Sequence, residues 1–249
     1  MERDEYDRLY SLEDAHWRFR ALRGLLDQAL DRWLRCPVDR PPRFLDAGCG
    51  TGGTAASLAR RGSVTGVDLN PHALELAVRR GLPDLVRGSV ERLPFADASF
   101  DAVIAVDVLY HRGVGDDADA LAELSRVCRP GGIILLWLAA YEWMRGAHDV
   151  VVHTERRYTR RRVLTLAARA GLAVEHATYV NALLLPPAAV WRWFHRTESG
   201  SDVEAAPGFV NDWAACLLAL EGRVALRTPL PFGLSIFAVL RRPESPPAP

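Results

Sequence analysis

Apolar positions along this chain follow two periods, and their alternation predicts the fold. Residues 44–47, 64–67, 100–106, 133–140 and 234–240 are short runs dominated by Val, Ile, Leu, Ala and Phe. Short runs that are apolar at nearly every position suit strands buried on both faces of a sheet. Residues 84–88 and 172–179 add a third and a sixth strand. Between the runs, apolar residues recur at intervals of three and four. Leu22, Leu25, Leu26, Ala29 and Leu30 share one helical face, Leu121, Leu124, Ser125 and Cys128 a second, and Val163, Leu166, Ala167 and Ala170 a third. Local signals bound several helices: Gly62 after Arg60-Arg61, Asn70-Pro71 at a start and Gly81 at its end, Asp116-Asp117 at a start, Thr159 at a start and Gly171 at an end. Strands alternating with helices predict a doubly wound α/β sheet of seven strands, mostly parallel.

One junction in this pattern carries chemistry. The first strand runs into Asp46-Ala47-Gly48-Cys49-Gly50-Thr51-Gly52-Gly53, with glycine at every second position from 48 to 52. Such glycines permit left-handed backbone and close approach by a ligand. A strand, glycine turn and helix in this order form the nucleoside-cofactor site of open α/β sheets. The spacing is G-x-G-x-G rather than the dinucleotide G-x-G-x-x-G, and Asp46 stands at the mouth of the turn. A carboxylate there repels a pyrophosphate and favours a cation. The second strand ends in Asp68, about 20 residues beyond the turn, where an acid accepts hydrogen bonds from ribose hydroxyls. Cys128-Arg129-Pro130-Gly131-Gly132 precedes the fifth strand.

These three elements, in order and correctly spaced, resemble the motifs of class I (Rossmann-like) S-adenosylmethionine-dependent methyltransferases. Tyr141, His148-Asp149, Arg156-Arg157-Tyr158-Thr159, Asn181, Pro186 and Pro231-Phe232-Gly233-Leu234-Ser235 are similar to a bacterial subgroup of that family. The resemblance implies S-adenosyl-L-methionine as cofactor, held by Asp46, Gly48, Cys49, Gly50, Asp68, Leu69 and Asp107. Ser89 and Val90 are expected beside the adenine, although relatives often carry an acid where Ser89 stands. It also implies an N-terminal arginine on the methionine carboxylate, for which Arg20 and Arg23 are the candidates. The closing strand, 231–241, is expected antiparallel beside the sixth.

Ligands in open α/β sheets bind beyond the carboxyl ends of the strands. The segment Asp107-Val108-Leu109-Tyr110-His111 should therefore face both methyl group and acceptor. His111 is the leading candidate for a general base, since an imidazole of ordinary pKa, about 6.5, suits proton transfer at neutral pH. His153 is its rival. Tyr110, Tyr141, His148 and Tyr158 are candidate acceptor-binding residues. Packing is an equally good reading for each tyrosine, and a helix-start histidine for His111.

Composition narrows the partners. Arginines number 31 with no lysine, against 31 acidic residues, so lysine-based chemistry is excluded and a general nucleic-acid binder is not expected. The charged residues 1–5 do not suit a secretory signal, and no apolar run reaches the ~20 residues of a membrane span. Cys36, Cys49, Cys128 and Cys216 are scattered without CxxC pairing, which predicts reduced thiols, a cytoplasmic setting and no metal site. The predicted organisation is an N-terminal helical lid (1–36), a cofactor-binding core (43–182), an aromatic helical insert capping the substrate (183–230), the closing strand (231–241) and a disordered tail (242–249). The expected function is metal-independent methyl transfer to oxygen or nitrogen, with carbon behind them. The acceptor would be a small molecule of natural-product or glycan type, and the protein a monomer or homodimer. The alternatives are a non-methylating cyclase or binding module on the same fold, and an RNA or protein methyltransferase using the basic run at 156–162.

Overall fold

The computed structural model describes residues 2–194 and 208–244. In chain order its elements are α1 (Arg3–Leu12), α2 (Trp17–Trp33), β1 (Arg43–Ala47), α3 (Gly53–Leu58), β2 (Ser63–Asp68), α4 (Pro71–Arg79), β3 (Asp84–Arg87), β4 (Phe100–Val106), α5 (Asp117–Val127), β5 (Cys128–Ala139), α6 (Ala147–Val151), α7 (Arg160–Arg169), β6 (Ala173–Val180), α8 (Leu185–Phe194), α9 (Gly208–Arg227) and β7 (Ser235–Arg241). The strands form one seven-stranded sheet in the order β3-β2-β1-β4-β5-β7-β6. The first five strands are mutually parallel, and β7 runs antiparallel to both β5 and β6. This is the expected doubly wound architecture.

The sheet is apolar on both faces because both are covered. Leu121, Leu124 and Val127 of α5 and Val163, Leu166 and Ala167 of α7 pack on one face. Leu22, Leu25, Leu26, Ala29 and Leu30 of α2, Ala55 and Leu58 of α3, and Ala225 and Leu226 of α9 cover the other. The order reverses between β1 and β4, which makes the ends of those strands the topological switch point.

The N-terminal segment, expected as one helical region to about residue 35, is two helices. The break at 13–16 has polar causes. His16 Nδ1 accepts the Arg18 amide at 3.3 Å, an N-cap that starts α2. Arg23 binds the carbonyls of Glu13 and Asp14 at 2.9 and 3.0 Å. The CRPGG segment, read as a turn before the fifth strand, begins β5: Cys128 pairs with Phe100 and a register shift follows. In the expected tail, Arg242 Nη1 donates to the carbonyls of Ser125, Arg126 and Cys128 at 2.9, 2.7 and 2.6 Å. Residues 245–249 of that tail lie outside the described residues.

Asp101 holds the opposite end of the sheet. It is fully buried on β4, accepts both guanidinium bonds of Arg40 (2.7 and 3.0 Å) and the Arg43 amide (2.7 Å), and pairs with Arg129 at 2.6 Å. These partners outweigh burial and depress its pKa. Asp101→Ala should destabilise the fold by about 2–4 kcal/mol at pH 7 in urea unfolding, since it leaves buried donors without their partner. A group with a depressed folded pKa stabilises above its unfolded value, near 4, and loses that contribution as pH falls through the folded value. The gap between variant and wild type should therefore shrink on the acid side.

Candidate active site

The glycine turn is built as the spacing predicts. Gly48, Gly50 and Gly52 have φ of +78°, +53° and +86°. At Gly48 a side chain is excluded twice over, because a Cβ would lie 2.5 Å from Val108 Cγ2, packing the turn against the chain leaving β4. The amides of Gly48 and Cys49 donate to the Val67 carbonyl at 2.8 and 2.9 Å. The Gly50 amide donates to Asp68 Oδ2 at 2.9 Å and the Asn70 amide to Asp68 Oδ1 at 2.8 Å. Asp68 thus braces the turn by accepting backbone amides on both of its oxygens.

A cavity of about 440 Å³ opens over this turn. Its floor is formed by Asp46, Gly48, Cys49, Gly50 and Thr51 after β1, by Asp68, Leu69 and Asn70 after β2, and by Val106, Asp107, Val108, Tyr110 and His111 after β4. Its roof comes from Tyr6, Leu9, Glu13, Arg18, Phe19 and Leu22 of the N-terminal helices. Gly88 and Val90 close one side and Val152 another. Five carboxyl groups (Glu5, Glu13, Asp46, Asp68, Asp107) line the cavity against the guanidinium of Arg18.

Asp46 is the least compensated of them. It is 1% exposed, and its Oδ2 has no hydrogen-bond partner. Burial, then the neighbouring charges of Glu13 and Asp68, push its pKa up to about 7, against the hydrogen bond from the Ala55 backbone. A buried carboxylate lacking a partner is costly, and a cation supplied by a ligand removes that cost. The site therefore fits a ligand with a positive end beside Asp46 and hydroxyls beside Asp68.

Of the residues singled out in the sequence, Asp46, Gly48, Cys49, Gly50, Asp68, Leu69, Val90, Asp107, Tyr110 and His111 line this cavity. Ser89 does not; its hydroxyl accepts the Glu91 amide at 3.2 Å. Arg20 pairs instead with Asp212 at 2.5 Å, and Arg23 with the α1–α2 carbonyls described above. The arginine in the cavity is Arg18, 3.1 Å from Asp107 Oδ2. Helical phase explains the difference. Arg18 continues the buried row Leu22, Leu25, Ala29 at offsets of four, seven and eleven, whereas Arg20 and Arg23 flank it. Periodicity carried to the start of α2 would have selected Arg18. Glu13 and Phe19 also line the cavity without having been singled out, because an unbroken N-terminal helical lid gives no sign of the helix break at 13–16 that places them.

Tyr141 and Tyr158 lie outside the lining. Tyr141 stacks on Tyr179 and Trp143, at 5.2 and 5.6 Å between ring centroids. Tyr158 is fully buried and donates to Asp117 Oδ2 at 3.0 Å. His148 belongs to α6, and its side chain lies outside the described residues, as do those of Trp191, Trp193 and Phe194 in the insert. In the basic run, Arg156 binds the Val114 carbonyl at 2.8 Å, Arg157 forms a buried pair with Asp149 at 2.9 Å, and Arg162 pairs with Asp117 at 2.8 Å. Arg156 and Arg162 tie the chain after β5 to the segment after β4, and Arg157 braces the loop after β5 internally.

His111 and His153 stand near each other, with ring centroids 5.8 Å apart, and His111 is the one in the cavity wall. His111 Nδ1 accepts the Gly113 amide at 3.1 Å, which places the proton of the neutral ring on Nε2. Burial, with the positive neighbours His153 and Arg112, lowers its pKa to about 4. At neutral pH the ring is therefore an uncharged donor. Tyr110 bonds to Asp107, and burial raises its pKa well above the ordinary range, so its hydroxyl is protonated as well. Among the described residues, no group of three or more His, Cys, Asp or Glu is arranged to hold a metal, and no helix is long and apolar enough to cross a membrane.

Residues 45–136 match the model of the methyltransferase domain family. A phthiotriol/phenolphthiotriol dimycocerosates methyltransferase of Mycobacterium ulcerans is 44% identical over 99 residues, covering 37% of this chain and 36% of that protein. An O-methyltransferase of Aspergillus nomiae is 39% identical over 101 residues, covering 37% of this chain and 44% of that protein. The match thus spans less than half of each relative's length. Among solved structures, the [4+2]-cyclase SpnF superposes with a TM-score of 0.58 at 21% identity, over 90% of this chain and 82% of that one. The chain's sheet order and glycine turn are thus those of the class I, Rossmann-like methyltransferase fold, and residues 45–136 within it match the methyltransferase domain family.

Proposed function

We propose that the protein transfers a methyl group from S-adenosylmethionine to a small-molecule acceptor, with oxygen favoured over nitrogen and carbon. The carrying observation is the unpartnered, fully buried oxygen of Asp46 in a cavity lined by five carboxyl groups. That lining suits a ligand bearing an ammonium and a sulfonium and disfavours a pyrophosphate. Bound there, the cofactor supplies an activated methyl on a positively charged sulfur, a displacement that requires no metal. The chain's own residues bind and align. Asp68 takes the ribose hydroxyls, Asp46 the ammonium, and Leu69 and Val90 flank the base. Arg18, fixed by Asp107, replaces Arg20 and Arg23 as the candidate for the ligand carboxylate. The relative named for O-methylation supports an oxygen acceptor.

On this reading His111 orients the acceptor through Nε2–H rather than removing its proton. A base with pKa near 4 is too weak to deprotonate an alcohol efficiently at pH 7. The favoured acceptors are therefore acidic hydroxyls, such as phenols or enols, which ionise readily or release their proton late. A natural-product substrate fits this description. The internal engagement of Arg156 and Arg157, and the pairing of Arg162 with Asp117, leave Arg160 and Arg161, among the described residues, as the exposed unpaired arginines of the run, a small basic patch for an RNA substrate.

The direct test is calorimetry with S-adenosylhomocysteine, followed by a panel of phenols, alcohols and amines with mass detection of methylated product. Tight binding with no product from any acceptor would favour a non-methylating role on the same fold, such as a cyclase. Asp68→Ala should weaken S-adenosylhomocysteine by about 100-fold or more, the worth of two hydrogen bonds to a carboxylate. Affinity should also rise with pH. The ligand's ammonium needs Asp46 ionised, and below about pH 7 the empty site holds a proton that binding must expel. Affinity should fall up to about tenfold per unit below that value, and Asp46→Asn should flatten the profile. For His111, ring NMR should report the Nε2–H tautomer from pH 5.5 to 8 with titration near 4. His111→Ala should lower turnover while leaving S-adenosylhomocysteine affinity within about twofold. A wild-type rate step near pH 6.5 that disappears in this variant would restore the general-base role.

A further inference from the structure

The connection between α1 and α2 carries a carboxylate that the reading above leaves unused. Glu13 has a side chain 12% exposed and lines the same cavity as Asp46. Its Oε2 accepts the Thr51 hydroxyl of the glycine turn and Arg80 Nη2 at 3.1 Å. Both bonds fall on Oε2, so Oε1 keeps its lone pairs. The carboxyl lies over the first turn of α3, where a Cβ at Gly53 would collide with it. Asp46 approaches the same turn from below by accepting the Ala55 backbone bond. Two acids from distant parts of the chain thus meet at one helix start, and one of them has an orphaned oxygen. Burial raises the Glu13 pKa despite Thr51 and Arg80, and the Glu13 charge is the largest neighbouring contribution to the rise at Asp46.

The position of Glu13 is fixed independently of any ligand. Arg80 crosses from the end of α4, where its Nε donates to the Thr51 carbonyl at 2.8 Å and Nη2 to the Tyr10 carbonyl at 2.9 Å. Its guanidinium stacks on Tyr10 at 4.5 Å and pairs with Asp14 at 2.6 Å. The α1–α2 connection is therefore pinned to the glycine turn, which preorganises Glu13.

We propose that Glu13 is the second carboxylate of the ammonium subsite, so that a ligand's cation is held between the end of β1 and the α1–α2 connection. This rests on the reading that the cavity takes an S-adenosylmethionine-type ligand. Two close, buried carboxylates repel each other, and a cation between them is stabilised by both. The N-terminal helices then do more than roof the cavity, since their pinned connection supplies a ligand-binding group already in place.

The test uses calorimetry on the full chain with three probes. S-adenosylhomocysteine carries ammonium and carboxylate, 5′-deoxy-5′-(3-aminopropylthio)adenosine carries only the ammonium, and 5′-methylthioadenosine carries neither. Glu13→Gln should weaken the first two by roughly tenfold to a hundredfold and leave the third within about twofold. Asp14→Asn removes the exposed Arg80 contact without touching the cavity and should leave all three within about twofold. Equal losses for the three probes in Glu13→Gln, or a matching loss in Asp14→Asn, would make Glu13 an anchor of the helices and overturn the subsite. Glu13→Asp keeps the charge on a shorter arm and should show the same selectivity, which provides the readout if Glu13→Gln does not fold. Failure of wild type to bind any probe would instead remove the cofactor reading on which the subsite stands.

Discussion

The structure turns on the desolvation of carboxylates at the carboxyl ends of β1 and β2. Parallel pairing sets Asp46 level with Gly66 and carries β2 on to Asp68, so both acids arrive at one edge of the sheet. Burying them is expensive, and the turn between them offsets only part of the cost. Asp68 receives two amides, from Gly50 and Asn70, because left-handed glycines let the backbone curl around it. Asp46 receives one backbone bond, and its second oxygen is left without a partner. Among the described residues, His72 Nδ1 and Arg129 Nε also lack a hydrogen-bond partner, but each has a carboxylate within 4 Å, whereas Asp46 Oδ2 faces the cavity, where a cation would offset its burial.

The remaining elements serve this edge. Gly48 presses the turn onto Val108, which fixes the end of β4 relative to the end of β1 across the switch point. Asp107 follows with φ of +55°, a backbone conformation costly for a non-glycine residue, and its side chain faces Arg18 from above. The N-terminal helices are held in place by charge as well as apolar contact. Arg80 grips their connection, and Leu22, Leu25 and Leu26 bury against the sheet. The roof of the cavity is thus built by a segment outside the matched domain, at residues that precede 45.

The sheet and its glycine turn were legible in the sequence because each depends on local chemistry. Continuous apolar runs specify strands buried on both faces, the three glycines specify positive φ, and an acid closing each of the first two strands needs no distant partner to be recognised. What was not legible depended on contacts between remote residues. Arg18, Arg20 and Arg23 are the same residue type within one helix. Their different fates follow from Asp107, Asp212 and the carbonyls of Glu13 and Asp14, partners 89, 192 and fewer than a dozen residues away. His111 was chosen for the ordinary pKa of its type, and burial with one backbone amide reverses its protonation chemistry. Tyr158 carries a reactive-looking hydroxyl in a functional loop, yet it is spent on Asp117 in the core.

Electrostatics also bears on turnover. A cavity lined by carboxyl groups attracts a ligand with a positive sulfur more strongly than the neutral thioether left after the methyl departs. On the proposed function, the same lining that gathers the donor would hold the spent form less tightly. The acceptor wall adds no strong base to this balance: His111 is neutral and Tyr110 is tied to Asp107. On the proposed function such a site would place selectivity in the acceptor's own acidity: an acidic hydroxyl brings its own negative charge to the sulfonium, while a poorly acidic one would need a base that His111 and Tyr110 do not supply.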